Sequence, residues 1–171
     1  GQALQYDFGV WFDEKGIPKD GKLLLPDNDI LIVGRHNRYN YSEAILATDG
    51  LVTEEAIRSV ATGFGGVEHR IESVRTLDGV EYFNDSKGTN PDASIKALEA
   101  TYTPVILIAG GYEKNSDFSG FIRSFDGKVK ELMLMGVTAE RFAECALSLG
   151  YPKEHIHFAK DMKECIKQAI L

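Results

Sequence analysis

The chain has 171 residues, 43% hydrophobic and 26% charged, a globular balance that excludes collagen-like, low-complexity and disordered classes. Its net charge of −7 and pI near 5.1, with no basic tract, argue against nonspecific binding to nucleic acid or anionic membrane, leaving room only for a small local anion site. No apolar stretch approaches the roughly 20 residues that cross a bilayer, and the length predicts one domain of about 150 residues, or one and a part.

The N-terminal residues carry neither a basic nor an apolar leader segment and no initiator Met, so an upstream stretch is expected. Residues 6–33 predict short strands and turns. Tyr6, Phe8, Val10 and Phe12 alternate, Asp13-Glu14-Lys15-Gly16 turns the chain, and Lys22–Leu25 and Ile30–Val33 are brief apolar runs. Helices are predicted over Asn37–Thr48, with Tyr41, Ala44, Ile45 and Ala47 at helical spacing, and over Thr53–Ala61, opened by a Thr cap and two Glu. Gly63-Phe64-Gly65-Gly66 breaks the second helix and is the hinge candidate. Ile71–Thr76 and Val80–Asn84 then predict a hairpin turned by Leu77-Asp78-Gly79.

From Asn90 onward strands and helices alternate. Asn90 caps a helix with Pro91 in its first turn, running to about Ala100, and Val105–Ala109 is an apolar strand of the kind buried in a parallel sheet. A helix from Asp117 through Phe125, a strand at Leu132–Met135, a helix at Thr138–Leu149, a strand at His155–Phe158 and a last helix opened by Asp161 complete the series. The expected class is α/β: a Rossmann-like, mostly parallel sheet with flanking helices over residues 66–171, preceded by an incomplete domain over residues 1–65. The last helix has no Gly cap, so truncation at that end is expected too. Cys145 and Cys165 fall in predicted helices and are expected as two thiols in a reducing compartment, since small secreted scaffolds are denser in Cys.

Several stretches carry candidate chemistry. Gly16-Ile17-Pro18-Lys19-Asp20-Gly21-Lys22-Leu23 has the Gly and Lys spacing of a phosphate-binding P-loop, but Leu23 cannot ligate Mg²⁺ and no helix start follows; a hairpin is expected. Asn37 and Asn40, three apart on a helix, share one side and could read a base or ribose edge, although spacing alone favours Asn37 as a plain N-cap and Asn40 as a solvent residue. Arg70, after the Gly hinge, suits bidentate phosphate contact or is a surface Arg. The densest stretch, Asn84-Asp85-Ser86-Lys87-Gly88-Thr89-Asn90-Pro91-Asp92-Ala93, runs from a strand end to a helix start, where open α/β sheets place ligands. There Asp85 could accept from ribose hydroxyls, and Lys87 and Thr89 could hold an anion. Lys114, in Ala109-Gly110-Gly111-Tyr112-Glu113-Lys114, leaves another strand end and could catch a carboxylate or sit in an ordinary turn. His155 and His157, i,i+2 on a predicted strand with no acidic or Cys partner expected near them, read as non-ligands.

In order, Gly-Arg-His-Asn-x-x-Asn (34–40), Gly-Val-Glu-His-Arg-Ile-Glu (66–72), Asn-Asp-Ser-Lys-Gly-Thr-Asn-Pro-Asp-Ala (84–93) and Ala-Gly-Gly-x-x-Lys-x-x-Asp-Phe (109–118) resemble the Mur ligases, in particular their D-glutamate-adding branch. The resemblance covers nearly the whole chain. It implies the end of a central ATPase-type domain over residues 1–65 and most of the amino-acid-binding C-terminal domain over residues 66–171. It implies a cytoplasmic, monomeric enzyme that joins D-glutamate to UDP-N-acetylmuramoyl-L-alanine through an acyl phosphate, using ATP and Mg²⁺. Carried over by motif, Asn37 and Asn40 would lie at adenine, Arg70 at the phosphates and Asp85 at the ribose; Lys87, Thr89 and Lys114 would hold D-glutamate. Gly88 stands where the family often has Ala. The family's UDP-binding domain, P-loop, Mg²⁺ ligands and closing Ser loop have no counterpart here, so no complete catalytic set is expected and the stretch should be inactive alone. The alternatives are a related ligase of the folylpolyglutamate synthase type and a non-catalytic binding module.

Overall fold

In the computed structural model, which describes residues 12–102, 104–112 and 115–170, the first elements are strands β1 (Gly16–Lys19) and β2 (Lys22–Pro26), paired antiparallel. Asp20 and Gly21, at φ 50° and 75°, form the two-residue turn that replaces the P-loop spacing with a hairpin. Tyr6, Phe8 and Val10 of the predicted alternation lie outside the described residues; Phe12 stands edge-on to Tyr39 at 4.6 Å between centroids. The apolar run Ile30–Val33 forms no strand. Its backbone is satisfied from the side instead: the Arg38 guanidinium donates to the Ile32 carbonyl at 2.6 Å and to the Asp27 carboxylate at 2.7 Å.

Helix α1 (Arg35–Ala47) starts two residues ahead of the predicted Asn37, behind Gly34 at φ 95°. Asn37 therefore sits inside the first turn and is not the cap. Helix α2 (Glu54–Gly63) is capped as expected, with the Thr53 hydroxyl accepting the Ala56 N–H at 3.2 Å. These elements close over Ile17, Leu24, Leu25, Ile30, Tyr41, Ile45 and Ala61. Strands β3 (Glu72–Leu77) and β4 (Val80–Asn84) make the predicted hairpin, turned by Asp78 and Gly79 at φ 51° and 79°. β3 begins at Glu72 because Ile71, at φ 46°, is left-handed and cannot extend the ladder.

The described chain divides into two compact units, Gly1–Lys87 and Gly88–Leu171. The second opens with α3 (Pro91–Glu99), where the Asn90 side chain accepts the Ala93 N–H at 2.9 Å and Pro91 fills the first turn. Lys128 closes the other end of α3, its ammonium donating to the carbonyls of Leu98 and Thr101 at 3.0 and 2.7 Å. Strands β5 (Val105–Gly111), β6 (Val129–Gly136) and β7 (Ile156–Phe158) form a parallel sheet in the order β5-β6-β7. Helices α4 (Ser119–Arg123), α5 (Ala139–Ser148) and α6 (Met162–Ala169) flank it. α4 is shorter than predicted, and Phe125 follows it in turns while still packing edge-on against Tyr151 at 5.6 Å.

Leu132 and Leu134, with no exposure, point from β6 into a core shared with Leu98, Phe121, Phe125, Phe142 and Ala146. Full burial of each such Leu contributes about 1.5–3 kcal/mol. Gly110 is required where β5 and β6 meet: at φ 131°, a Cβ there would stand 1.8 Å from the Met135 carbonyl oxygen. Cys145 is half-buried and Cys165 buried, both free thiols. His155 and His157 do have an acidic partner, supplied by the neighbouring strand. Glu131 meets His155 Nδ1 at 3.0 Å and His157 Nε2 at 2.8 Å. Among the described residues no helix is long and apolar enough to cross a membrane.

Candidate functional site

A cleft of about 320 Å³ opens in the first unit, lined by α1 residues Asn37, Asn40 and Tyr41 together with Ile32, Val33, Phe64–Val67, Arg70 and Ile71. The two Asn of α1 are linked as their spacing requires: Asn40 Nδ2 donates to Asn37 Oδ1 at 3.0 Å. Asn37 Nδ2 in turn donates to the Val33 carbonyl at 2.6 Å. The pair is thus held in one orientation, with the Asn40 Oδ1 acceptor and the second hydrogen of each amide left for a ligand edge. Spacing reads Tyr41 only as an apolar helix position. In the structure it lines the same cleft, and its buried hydroxyl has no hydrogen-bond partner among the described residues. The one sequence signal for it was its position one helical turn past Asn37.

Arg70 is presented by an unusual loop. His69 and Ile71 on either side of it are both left-handed, at φ 67° and 46°. Such positions cost on the order of 1–3 kcal/mol each and persist only where the surroundings hold them. The Ile71 N–H is held by Asp85 Oδ1 at 3.0 Å, the Arg70 N–H by the Val67 carbonyl at 3.1 Å, and the His69 carbonyl by the Lys87 N–H at 2.9 Å. Burial pushes the Asp85 carboxyl above the usual carboxylate range, opposed by the Ile71 N–H and by the positive charges of Arg70 and His36. Asp85 thus stands beneath the loop that carries Arg70.

Four of the residues singled out in the sequence, Asn37, Asn40, Arg70 and Asp85, are therefore in or directly behind one cleft. Lys87 is exposed and ends the first unit; Thr89 is exposed and lies in the second, just before the cap of α3. Lys114 lies outside the described residues. Among the described residues, no group of three or more His, Cys, Asp or Glu is placed to hold a metal ion.

Residues 69–171 match the family described as Mur ligase, glutamate ligase domain. The chain is 41% identical over 162 residues, 94% of its length, to the UDP-N-acetylmuramoylalanine–D-glutamate ligase of Caldanaerobacter subterraneus subsp. tengcongensis, and this covers 36% of that protein. It is 50% identical over 124 residues, 72% of its length, to the protein of the same name from Lachnoclostridium phytofermentans, covering 27% of it. The chain thus spans about a third of the length of the curated relatives it matches. Among solved structures, folylpolyglutamate synthase of Mycobacterium tuberculosis complexed with ADP and AMPPCP superposes over 99% of this chain and 39% of that one, with TM-score 0.63 and 15% identity. MurF from Acinetobacter baumannii covers 98% of this chain and 34% of its own, with TM-score 0.57 and 16% identity. At these identities the two structures establish the α/β fold.

Proposed function

Since the chain belongs to the Mur ligase family, we propose that it is part of an ATP-dependent ligase that adds D-glutamate to UDP-N-acetylmuramoyl-L-alanine in the cytoplasm. The observation that carries this reading is the meeting of Asn37, Asn40 and Arg70 on one cleft, with Asp85 under the Arg70 loop. The names of relatives at 41% and 50% identity support the choice of D-glutamate over a folate-linked glutamate. In this reading residues 1–65 close the central ATP-binding domain and residues 66–171 form the amino-acid-binding domain, a division supported by the family match beginning at residue 69.

The cleft suits a nucleotide on chemical grounds. The linked amides offer both donors and an acceptor to a base edge, and Arg70 offers a planar cation to phosphate oxygens. Asp85 is close enough to Arg70 to feel its charge and offers carboxylate oxygens to ribose hydroxyls. ATP would supply the phosphoryl group that activates a substrate carboxylate for attack by an amine. Lys87, Thr89 and Lys114 are proposed to hold the two carboxylates of D-glutamate, because an acidic chain must supply cations and hydroxyl donors locally to bind a dianion. The described residues do not by themselves form a site for Mg²⁺.

A coupled phosphate-release assay on the longer ligase that contains this chain tests the proposal. ATP turnover is expected to require D-glutamate together with UDP-N-acetylmuramoyl-L-alanine. Turnover with L-glutamate and a folate instead would transfer the chain to the folylpolyglutamate synthase type, and no turnover with either pair would favour a binding module.

A further inference from the structure

We propose that Glu72 and Asn84 are positioning residues that hold Arg70 in the cleft by clasping His69 in its left-handed conformation. The inference rests on the nucleotide reading of the cleft and deepens it. Glu72 Oε2 accepts the His69 N–H at 2.8 Å and lies 3.5 Å from His69 Nδ1. Asn84 Nδ2 reaches His69 Nδ1 at 2.9 Å and Glu72 Oε2 at 3.4 Å. The orientation of this amide is set independently, because Asn84 Oδ1 accepts the Ser86 N–H at 3.1 Å, leaving only Nδ2 to face His69.

With Glu72 on the His69 N–H, Asp85 on the Ile71 N–H and the Val67 carbonyl on the Arg70 N–H, all three consecutive donors of the loop are engaged. Two left-handed residues in a row of three would relax to ordinary backbone if one of these acceptors were removed. Such relaxation displaces Arg70 and its neighbour Ile71, both of which line the cleft. Glu72 is not among the residues that line the cleft, so its effect on a ligand passes through the loop it holds, in which Arg70 is the cation.

Arg70 addresses phosphate whereas Asn37 and Asn40 address the base, so the clasp separates two ligands. NMR titration of the chain with ATP and with adenosine reads both affinities from the amide shifts of α1, and core amides such as Ile45 report that the unit is folded. Glu72→Ala is expected to weaken ATP about tenfold while leaving adenosine within about twofold. Glu72→Gln, whose amide oxygen still accepts the His69 N–H, is expected to restore ATP to within about threefold of the parent chain. The HN–Hα couplings of His69 and Ile71 should lose their left-handed values in the Ala variant and keep them in the Gln variant. An unchanged ATP-to-adenosine ratio in Glu72→Ala, or an equal loss in Glu72→Gln, overturns the clasp while the nucleotide reading stands. If the parent chain binds neither ligand, the nucleotide reading falls and takes the clasp with it.

Discussion

Tyr41 shows how one side chain can serve a cleft at a cost to the fold. Its ring is part of the core of the first unit, yet its hydroxyl is buried without a partner among the described residues. Burial accordingly pushes the phenol above its ordinary pKa, although Arg38 pulls the other way. An unsatisfied buried hydroxyl costs about 1–3 kcal/mol. Tyr41→Phe keeps the ring and removes the orphan, so the chain is expected to gain about 1 kcal/mol of stability in thermal or urea unfolding. A loss of stability would mean that the hydroxyl is satisfied after all. Asn37 and Asn40 differ from Tyr41 in legibility: their i,i+3 spacing placed them together in advance, and the structure adds that Asn37 is bound to the Val33 carbonyl and so cannot turn freely.

At the scale of elements, β7 is the short strand whose attachment depends most on side chains. It has three residues and pairs only with β6, where Glu131 bridges His155 and His157. The His157 hydrogen bond, then that of His155, lowers the Glu131 carboxyl below the usual carboxylate range. A carboxyl lowered on folding contributes stability above its unfolded pKa of about 4.3, and that contribution is lost as pH falls through the folded value. The protection factors of the Ile156–Phe158 amides are therefore expected to fall below about pH 4 more than those of Leu132–Leu134. Glu131→Gln, which cannot ionise, should remove this difference in pH response; an equal fall in protection in both strands of the parent chain would refute the bridge's role. Sequence reading missed the bridge because Glu131 is remote from the His pair along the chain and adjacent only once β6 and β7 pair.

At the scale of the molecule, the described chain holds the nucleoside end of a candidate nucleotide cleft without a P-loop, so it should bind weakly and perform no ligation alone. Each charge-assisted hydrogen bond contributes about 1.5–3 kcal/mol, while association costs at least about 4 kcal/mol. Two or three such contacts leave millimolar affinity, since 1 mM corresponds to about −4.1 kcal/mol. Titration of the isolated chain with ATP and with D-glutamate is expected to give dissociation constants in that range and no ADP release; micromolar binding would show that the cleft is more complete than this. The α/β class, the two hairpin turns, the Thr53, Asn90 and Asp161 caps and the sheet strands were all written in the sequence. These are local decisions, made by periodicity, turn chemistry and the unpaired N–H groups of a helix start, which neighbouring residues settle among themselves. Tertiary structure alone decided that Ile30–Val33 is held by Arg38 in place of a strand partner, and that Glu131 reaches two His. It also decided that His69 and Ile71 are left-handed around Arg70. The His pair and Ile71 depend on a partner, Glu131 or Asp85, brought from a distant part of the chain, and the Arg38 and Glu72 contacts, though near in sequence, depend on irregular backbone that spacing does not specify.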